Sequence, residues 1–444
     1  VNEQLSEQEL NEQHHLMIGG VDSLALAKEY QTPLYVYDTG EIRQAIADFK
    51  RVFEANHVAY QISYASKAFA TVAMYQLIAQ AGIHCDVVSG GELYTAQRAG
   101  FPMAKVSFHG NNKSEEELMM ALDAGVGCIM VDNFYELDLL TRLSAARQQV
   151  VTIMLRIAPG ISAHTHEYIS TGQEDSKFGF GLNSGQADQA VRQAQAAKYL
   201  NLVGIHCHIG SQIFELHGFE MIVDKLVSVF ARWQNELGFY PQIMNVGGGF
   251  GVKYTAEDQP LAPTDFVDSI IKETIAQTKA HHVPMLEIWI EPGRSLVATA
   301  GTTLYTLGAS KEVPGIRKYL AVDGGMGDNI RPALYDAKYE AVLAKDPTLP
   351  AQQVASIAGK YCESGDMLIW NQSLPATQPG DVLAVLDTGA YGYSMASNYN
   401  RNPRPAVVFC EDGQSHLVVK RETYADLTRL DVALPVAEKT PLSN

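Results

Sequence analysis

An α/β architecture, a (β/α)8 TIM-like barrel joined to a mostly antiparallel β-sandwich or β-barrel domain, is what this sequence predicts. Two observations carry it. Between about residues 60 and 291, eight short apolar, β-rich runs alternate with helix-period segments, the pattern of parallel strands joined by crossover helices. After Arg294 the segments remain β-rich while strong helical patterns stop, as expected for a second domain. Residues 36–292 are expected to form the barrel, and 1–35 with 293–444 the β-rich domain.

The eight runs cover 61–67, 84–88, 106–109, 128–132, 150–157, 202–209, 243–246 and 285–290. Eight such units favour a closed barrel over an open doubly wound sheet. The intervening helices carry their own signals. Ser114 and three glutamates open an acidic first turn ahead of Leu118, and Gly125 supplies a stop. The connection 159–187 lacks clear periodicity and is longer than most loops in a compact domain, so it is expected to be a lid or a disordered segment. In the second domain, strands are expected at 302–307, 319–322, 367–370, 382–387, 406–409 and 417–420.

Composition narrows the partners. The chain has 444 residues, 33 basic against 50 acidic, for a net charge of −17 that repels a phosphate backbone or an anionic membrane. No apolar run approaches a bilayer span, and the opening residues lack a basic-then-apolar signal pattern. A soluble, cytoplasmic protein acting on a small molecule is therefore expected, with neither nucleic acid nor membrane as partner. Five scattered cysteines without a C-x-x-C pair argue against a disulfide framework or structural zinc.

Barrels of this type gather reactive groups at the carboxyl ends of their strands, with phosphate often held after strands seven and eight. Here Lys67 ends the first run, Asp86 lies late in the second, His109 ends the third, Arg156 lies late in the fifth and His208 near the end of the sixth. Gly247, Gly248 and Gly249 follow the seventh, and Glu291, Pro292, Gly293 and Arg294 the eighth. A lysine partly desolvated at a barrel mouth suits imine chemistry, although a lone lysine after a strand is more often a solvated end. The glycine run can cradle a phosphate or simply make a tight turn. Glu291 is the carboxylate best placed to keep a pyridine nitrogen protonated, and Arg294 can face a phosphate or a carboxylate. His206 and His208 on one strand face leave a metal-dependent hydrolase as a rival, but it would need further carboxylate or histidine ligands converging nearby and would leave Lys67 and the glycine run without a role, so no metal is expected. Cys362, Glu363 and Asp366 crowd into five residues of the second domain, as a solvated turn or as a proton donor beside an ammonium contact.

These stretches resemble the pyridoxal-phosphate-dependent decarboxylases that share the alanine racemase barrel. The resemblance runs through Tyr64-Ala65-Ser66-Lys67-Ala68, Asp86 to Leu93, His206 to Gln212, Gly247 to Gly249, Glu291 to Arg294, and Cys362 to Asp366, and covers nearly the whole chain. It implies pyridoxal 5'-phosphate held as a Schiff base on Lys67, with Asp86 beside it. His208 stacks on the ring, Ser211 and the glycine run bind phosphate with Gly293 and Arg294, and Glu291 pairs with the ring nitrogen. Tyr391 reaches phosphate and substrate. Arg294, Arg331 and Tyr335 recognise substrate carboxylate, Cys362 donates a proton and Glu363 contacts the distal ammonium. The implied reaction is decarboxylation of meso-2,6-diaminopimelate to L-lysine, the last step of bacterial lysine biosynthesis. The alternative is decarboxylation of ornithine, lysine or arginine on the same fold. The resemblance also implies a homodimer with shared active sites. Ala158 and the Lys360-Tyr361 pair depart from the family pattern without touching an assigned position.

Overall fold

In the computed structural model, residues 10–161 and 175–435 are described. Residues 162–174 of the expected long connection fall outside them. Eight parallel strands form the barrel: β1 (Tyr60–Ala65), β2 (His84–Val87), β3 (Val106–Phe108), β4 (Cys128–Val131), β5 (Val151–Ala158), β6 (Leu200–His206), β7 (Ile243–Asn245) and β8 (Glu287–Ile290). Each pairs with its sequence neighbour, and β8 closes on β1 through Ile288 opposite Tyr60 and Ile290 opposite Ile62. Closure leaves no strand edge open, so the site can be assembled from all eight carboxyl ends at once.

The crossover helices start where capping side chains stand. Thr71, Ser89, Ser114 and Asn133 each accept a hydrogen bond from a backbone N–H of the first turn, and Ser114 with Glu117 completes a capping box. Gly125 ends its helix in the left-handed region, at φ 71°. These caps fix where each strand-to-helix loop begins, and hence where the reactive ends point.

The second sheet has more strands than the sequence pattern suggested. It contains Gly301–Val313, Arg317–Val322, Met367–Leu374, Val382–Val385, Ala406–Glu411 and Gln414–Val419, together with Ala341–Leu343 and Gln353–Ala358. It also takes in Leu34–Asp38, which spans residue 36 and lies antiparallel to Gly301–Leu304 on one side and parallel to Ala406–Cys410 on the other. The pairing is antiparallel except between Leu34–Asp38 and Ala406–Cys410 and between Tyr319–Ala321 and Ser356–Ala358. Tyr37 stacks on Phe69 with ring centroids 4.4 Å apart, so one buried aromatic cluster bridges the sheet and the barrel two residues beyond Lys67. Truncating such a fully buried ring costs about 3–5 kcal/mol, which makes Phe69 an anchor for the Lys67 turn.

Candidate active site

Lys67 sits in a single 3-10 turn, Ser66–Ala68, immediately after β1. That turn is held from several sides. Asp86 Oδ1 accepts from Ser66 N at 3.1 Å, Tyr64 Oη donates to Phe69 O at 2.7 Å, and Ala68 O accepts from Tyr391 N and Ser394 Oγ. The lysine side chain is left exposed to a cavity of about 1200 Å³ at the barrel mouth. Burial, and then the charge of Glu291, push the Asp86 carboxyl up, while Lys67 opposes them. Asp86 therefore fixes the backbone beside Lys67 as well as lining the cavity.

The cavity floor is built around Glu291. Its Oε1 accepts from Asn245 Nδ2 at 2.7 Å and its Oε2 from His206 Nε2 at 3.0 Å. His109 Nε2 stands 3.0 Å from Oε1, at ion-pair distance but off the hydrogen-bond line. Burial alone would raise this carboxyl. The two imidazoles outweigh it and hold Glu291 well below the usual carboxylate range. Burial lowers His206 to about 4, so it is neutral at pH 7 and donates through Nε2. His208 does not join this cluster. It lies against Gly247 at the cavity wall, pushed down by burial and then by the positive Lys67 and Arg156. Among the described residues, the group of ligand-type atoms within 4.8 Å of one another is that of His109, His206 and Glu291, not the His206 and His208 pair considered from sequence.

Opposite the floor, the loops after β7 and β8 interlock. A Cβ at Gly248 would stand 2.1 Å from Glu291 O, and one at Gly249, where φ is +99°, 2.2 Å from Gly210 O. No side chain fits, and among the described residues the Gly248 and Gly249 amides donate to no backbone carbonyl or side chain. Gly247 is spent differently: its N–H donates to Asn245 Oδ1 at 2.9 Å, and it does not line the cavity. Beside the run, Arg294 Nη2 donates to Ser211 Oγ at 3.0 Å and Nη1 to Tyr254 Oη at 2.6 Å. Two free glycine amides, a hydroxyl and a guanidinium form a rim with the chemistry to hold a phosphate. With an exposed lysine at one wall and an ionised carboxylate on the floor, the residues present fit pyridoxal phosphate.

A second guanidinium enters from the β-rich domain. Arg331 opens the short helix Arg331–Tyr335, and its Nε donates to Tyr339 Oη at 2.8 Å. Its planar group lies 5.5 Å from the Tyr335 ring and 5.7 Å from that of Tyr391. Gly293, Tyr335 and Tyr391 line the same cavity. Cys362 and Glu363 do not: Cys362 is exposed, away from the cavity of its own chain. Asn245, Tyr254 and Tyr339 were not singled out from sequence. Asn245 had a signal in its place before the glycine run, whereas the two tyrosines had none.

A family model described as "Pyridoxal-dependent decarboxylase, pyridoxal binding domain" matches residues 39–298. Diaminopimelate decarboxylase of Bacillus subtilis (strain 168) is 55% identical over 97% of this chain and 98% of its own length. The chain belongs to the pyridoxal-dependent decarboxylases, in the diaminopimelate decarboxylase family. Diaminopimelate decarboxylase of Bacillus methanolicus is 57% identical over 93% of this chain and 96% of its own. The crystal structure of the M. jannaschii family member in complex with L-lysine superposes with a TM-score of 0.89 at 37% identity, covering 96% of this chain and 97% of that one. Members of this family are pyridoxal-dependent carboxy-lyases, which agrees with the barrel and with a lysine at its mouth.

Proposed function

We propose that this chain decarboxylates meso-2,6-diaminopimelate to L-lysine and carbon dioxide, acting in the cytoplasm as a homodimer. The observation that carries the substrate is Arg331. A buried guanidinium enters the Lys67 cavity in addition to the arginine at the phosphate rim. A substrate with a carboxylate at each end needs a second cation, whereas ornithine or lysine would be better served by an acidic residue at that place.

Lys67 would hold the cofactor through its amine, with Ser211, Arg294, Gly293 and the amides of Gly248 and Gly249 on the phosphate and His208 against the ring. Pyridoxal phosphate, when bound, supplies a sink for the electron pair released as the bond to the departing carboxylate breaks. Glu291, held ionised by its imidazoles, would keep a proton on the ring nitrogen of the bound cofactor. Arg331 and Tyr335 fix the carboxylate that stays, and Tyr391 closes over the arginines. One proton must reach the carbon that loses carbon dioxide, and Cys362 Sγ is the donor, with Glu363 on the distal ammonium. Both lie outside their own cavity, so each chain provides them to the site of a second copy.

Product analysis by mass spectrometry tests this. Pyridoxal-loaded protein is given meso-diaminopimelate, lysine, ornithine and arginine separately. Lysine from diaminopimelate alone supports the proposal; cadaverine, putrescine or agmatine would overturn the substrate.

A further inference from the structure

Outside the barrel, three loops that carry proposed site residues meet around one carboxylate. Asp366 is 3% exposed, and its Oδ2 accepts from Tyr361 N at 2.9 Å while its Oδ1 accepts from Met326 N at 2.6 Å. The first of these bonds holds the turn that presents Cys362 and Glu363. The second holds the stretch leading into Arg331, which is stiffened by Gly325 N to Asp328 Oδ2 at 2.8 Å and Arg331 N to Asn329 Oδ1 at 3.2 Å. The third loop, beyond Tyr391, is tied to both: Cys362 N donates to Asn400 Oδ1 at 2.7 Å and Ser397 N to Gly327 O at 2.9 Å.

The backbone is cleared to let the carboxylate in. A Cβ on Gly325 would fall 2.5 Å from Asp366 Oδ1 and one on Gly359 2.1 Å from Oδ2. A buried carboxylate accepting two backbone N–H groups from different loops acts as a strong clamp, because each charge-assisted bond resists being lost without a water to replace it. The two clamped loops serve different places. Arg331 lines the cavity of its own chain, and Cys362 does not.

We propose that Asp366 is a positioning residue that sets, as one unit, the substrate arginine of its own chain's site and the thiol-bearing turn that serves the second copy's site. The inference rests on the shared-site dimer proposed above.

Holoenzyme heterodimers purified through two different affinity tags test it, with rates expressed per cofactor-bearing site from the cofactor absorbance. A Lys67→Ala chain paired with a Cys362→Ala chain first checks sharing: one complete site regains activity. An Asp366→Asn chain paired with a Lys67→Ala chain leaves one live site disturbed only on the Arg331 side. A wild-type chain paired with one carrying both Asp366→Asn and Lys67→Ala leaves one live site disturbed only on the Cys362 side. The first of these two should raise KM for meso-diaminopimelate about tenfold with kcat little changed, and the second should lower kcat about tenfold with KM little changed, the scale of one weakened charge-assisted bond. Gly359→Ala, whose Cβ would displace the same carboxylate, should reproduce the split and serves if the Asp366 variant does not assemble. Equal loss in both heterodimers, or none, would overturn the role of Asp366. No recovery in the Lys67→Ala and Cys362→Ala pair would instead overturn the shared site.

Discussion

Replacing Arg331 by Met isolates the cation assigned to the substrate. Its Nε is committed to Tyr339 Oη at 2.8 Å, and among the described residues its two terminal amino groups make no hydrogen bond. A carboxylate can therefore take both, in the bidentate geometry that guanidinium favours. Two charge-assisted bonds at about 1.5–3 kcal/mol each give roughly 3–6 kcal/mol, or about 10²–10⁴ in kcat/KM. The fold loses less. The buried Tyr339 hydroxyl gives up one charged donor, about 1.5–3 kcal/mol, and Met fills much of the volume. The assay is lysine formation from meso-diaminopimelate, paired with binding of 1,5-diaminopentane followed through the cofactor absorbance. The diamine has neither carboxylate and should bind the variant as it binds the wild type. A fall in kcat/KM below tenfold, or an equal loss of diamine binding, would refute the assignment.

Further expectations follow from the floor and walls. Burial holds His206 neutral down to about 4, whereas the unfolded chain takes up its proton near the ordinary value of 6.5. Its contribution to stability is thus complete above pH 6.5 and lost as pH falls to 4, a change of ~3 kcal/mol. Denaturant titrations of wild type and His206→Asn at pH 7 and pH 4 should show the difference between them shift against the wild type by that amount, and a constant difference contradicts it. Lys113 Nζ is buried 2.8 Å from Glu136 Oε1 and also donates to Gly110 O, next to His109. Lys113→Met should cost about 3–5 kcal/mol by leaving a buried charge, and Lys113→Met with Glu136→Leu should recover most of it in the same titration. Gly248→Ala places a Cβ 2.1 Å from a backbone carbonyl and should abolish cofactor retention through gel filtration, while Gly125→Ala on the outer wall should retain it.

The barrel was legible because each strand is a short apolar run bounded by turn residues, and closure follows from their number. The position of Lys67, Glu291 and the glycine run at strand ends was legible for the same reason. Other features depend on partners far away in the chain. Leu34–Asp38 is strand-like by itself, but nothing local says that it pairs with residues beyond 300 and with others beyond 400. Ala341–Leu343 is too short to stand out, and Gln353–Ala358 mixes polar and small residues that only its neighbours explain. Tyr254 and Tyr339 earn their roles from where Arg294 and Arg331 arrive, which no periodicity encodes. The expectation that His206 and His208 share a face overlooked that β6 ends at His206, so His208 belongs to the loop and turns toward Gly247.

The covalent anchor is the point on which the rest depends. Reduction of the pyridoxal-loaded protein with borohydride, followed by proteolysis and peptide mass spectrometry, reads it directly. The account predicts a single pyridoxyl-phosphate adduct on Lys67, absent from Lys67→Ala. An adduct on another lysine, such as Lys177 or Lys338 at the cavity wall, with Lys67 unlabelled, would contradict it.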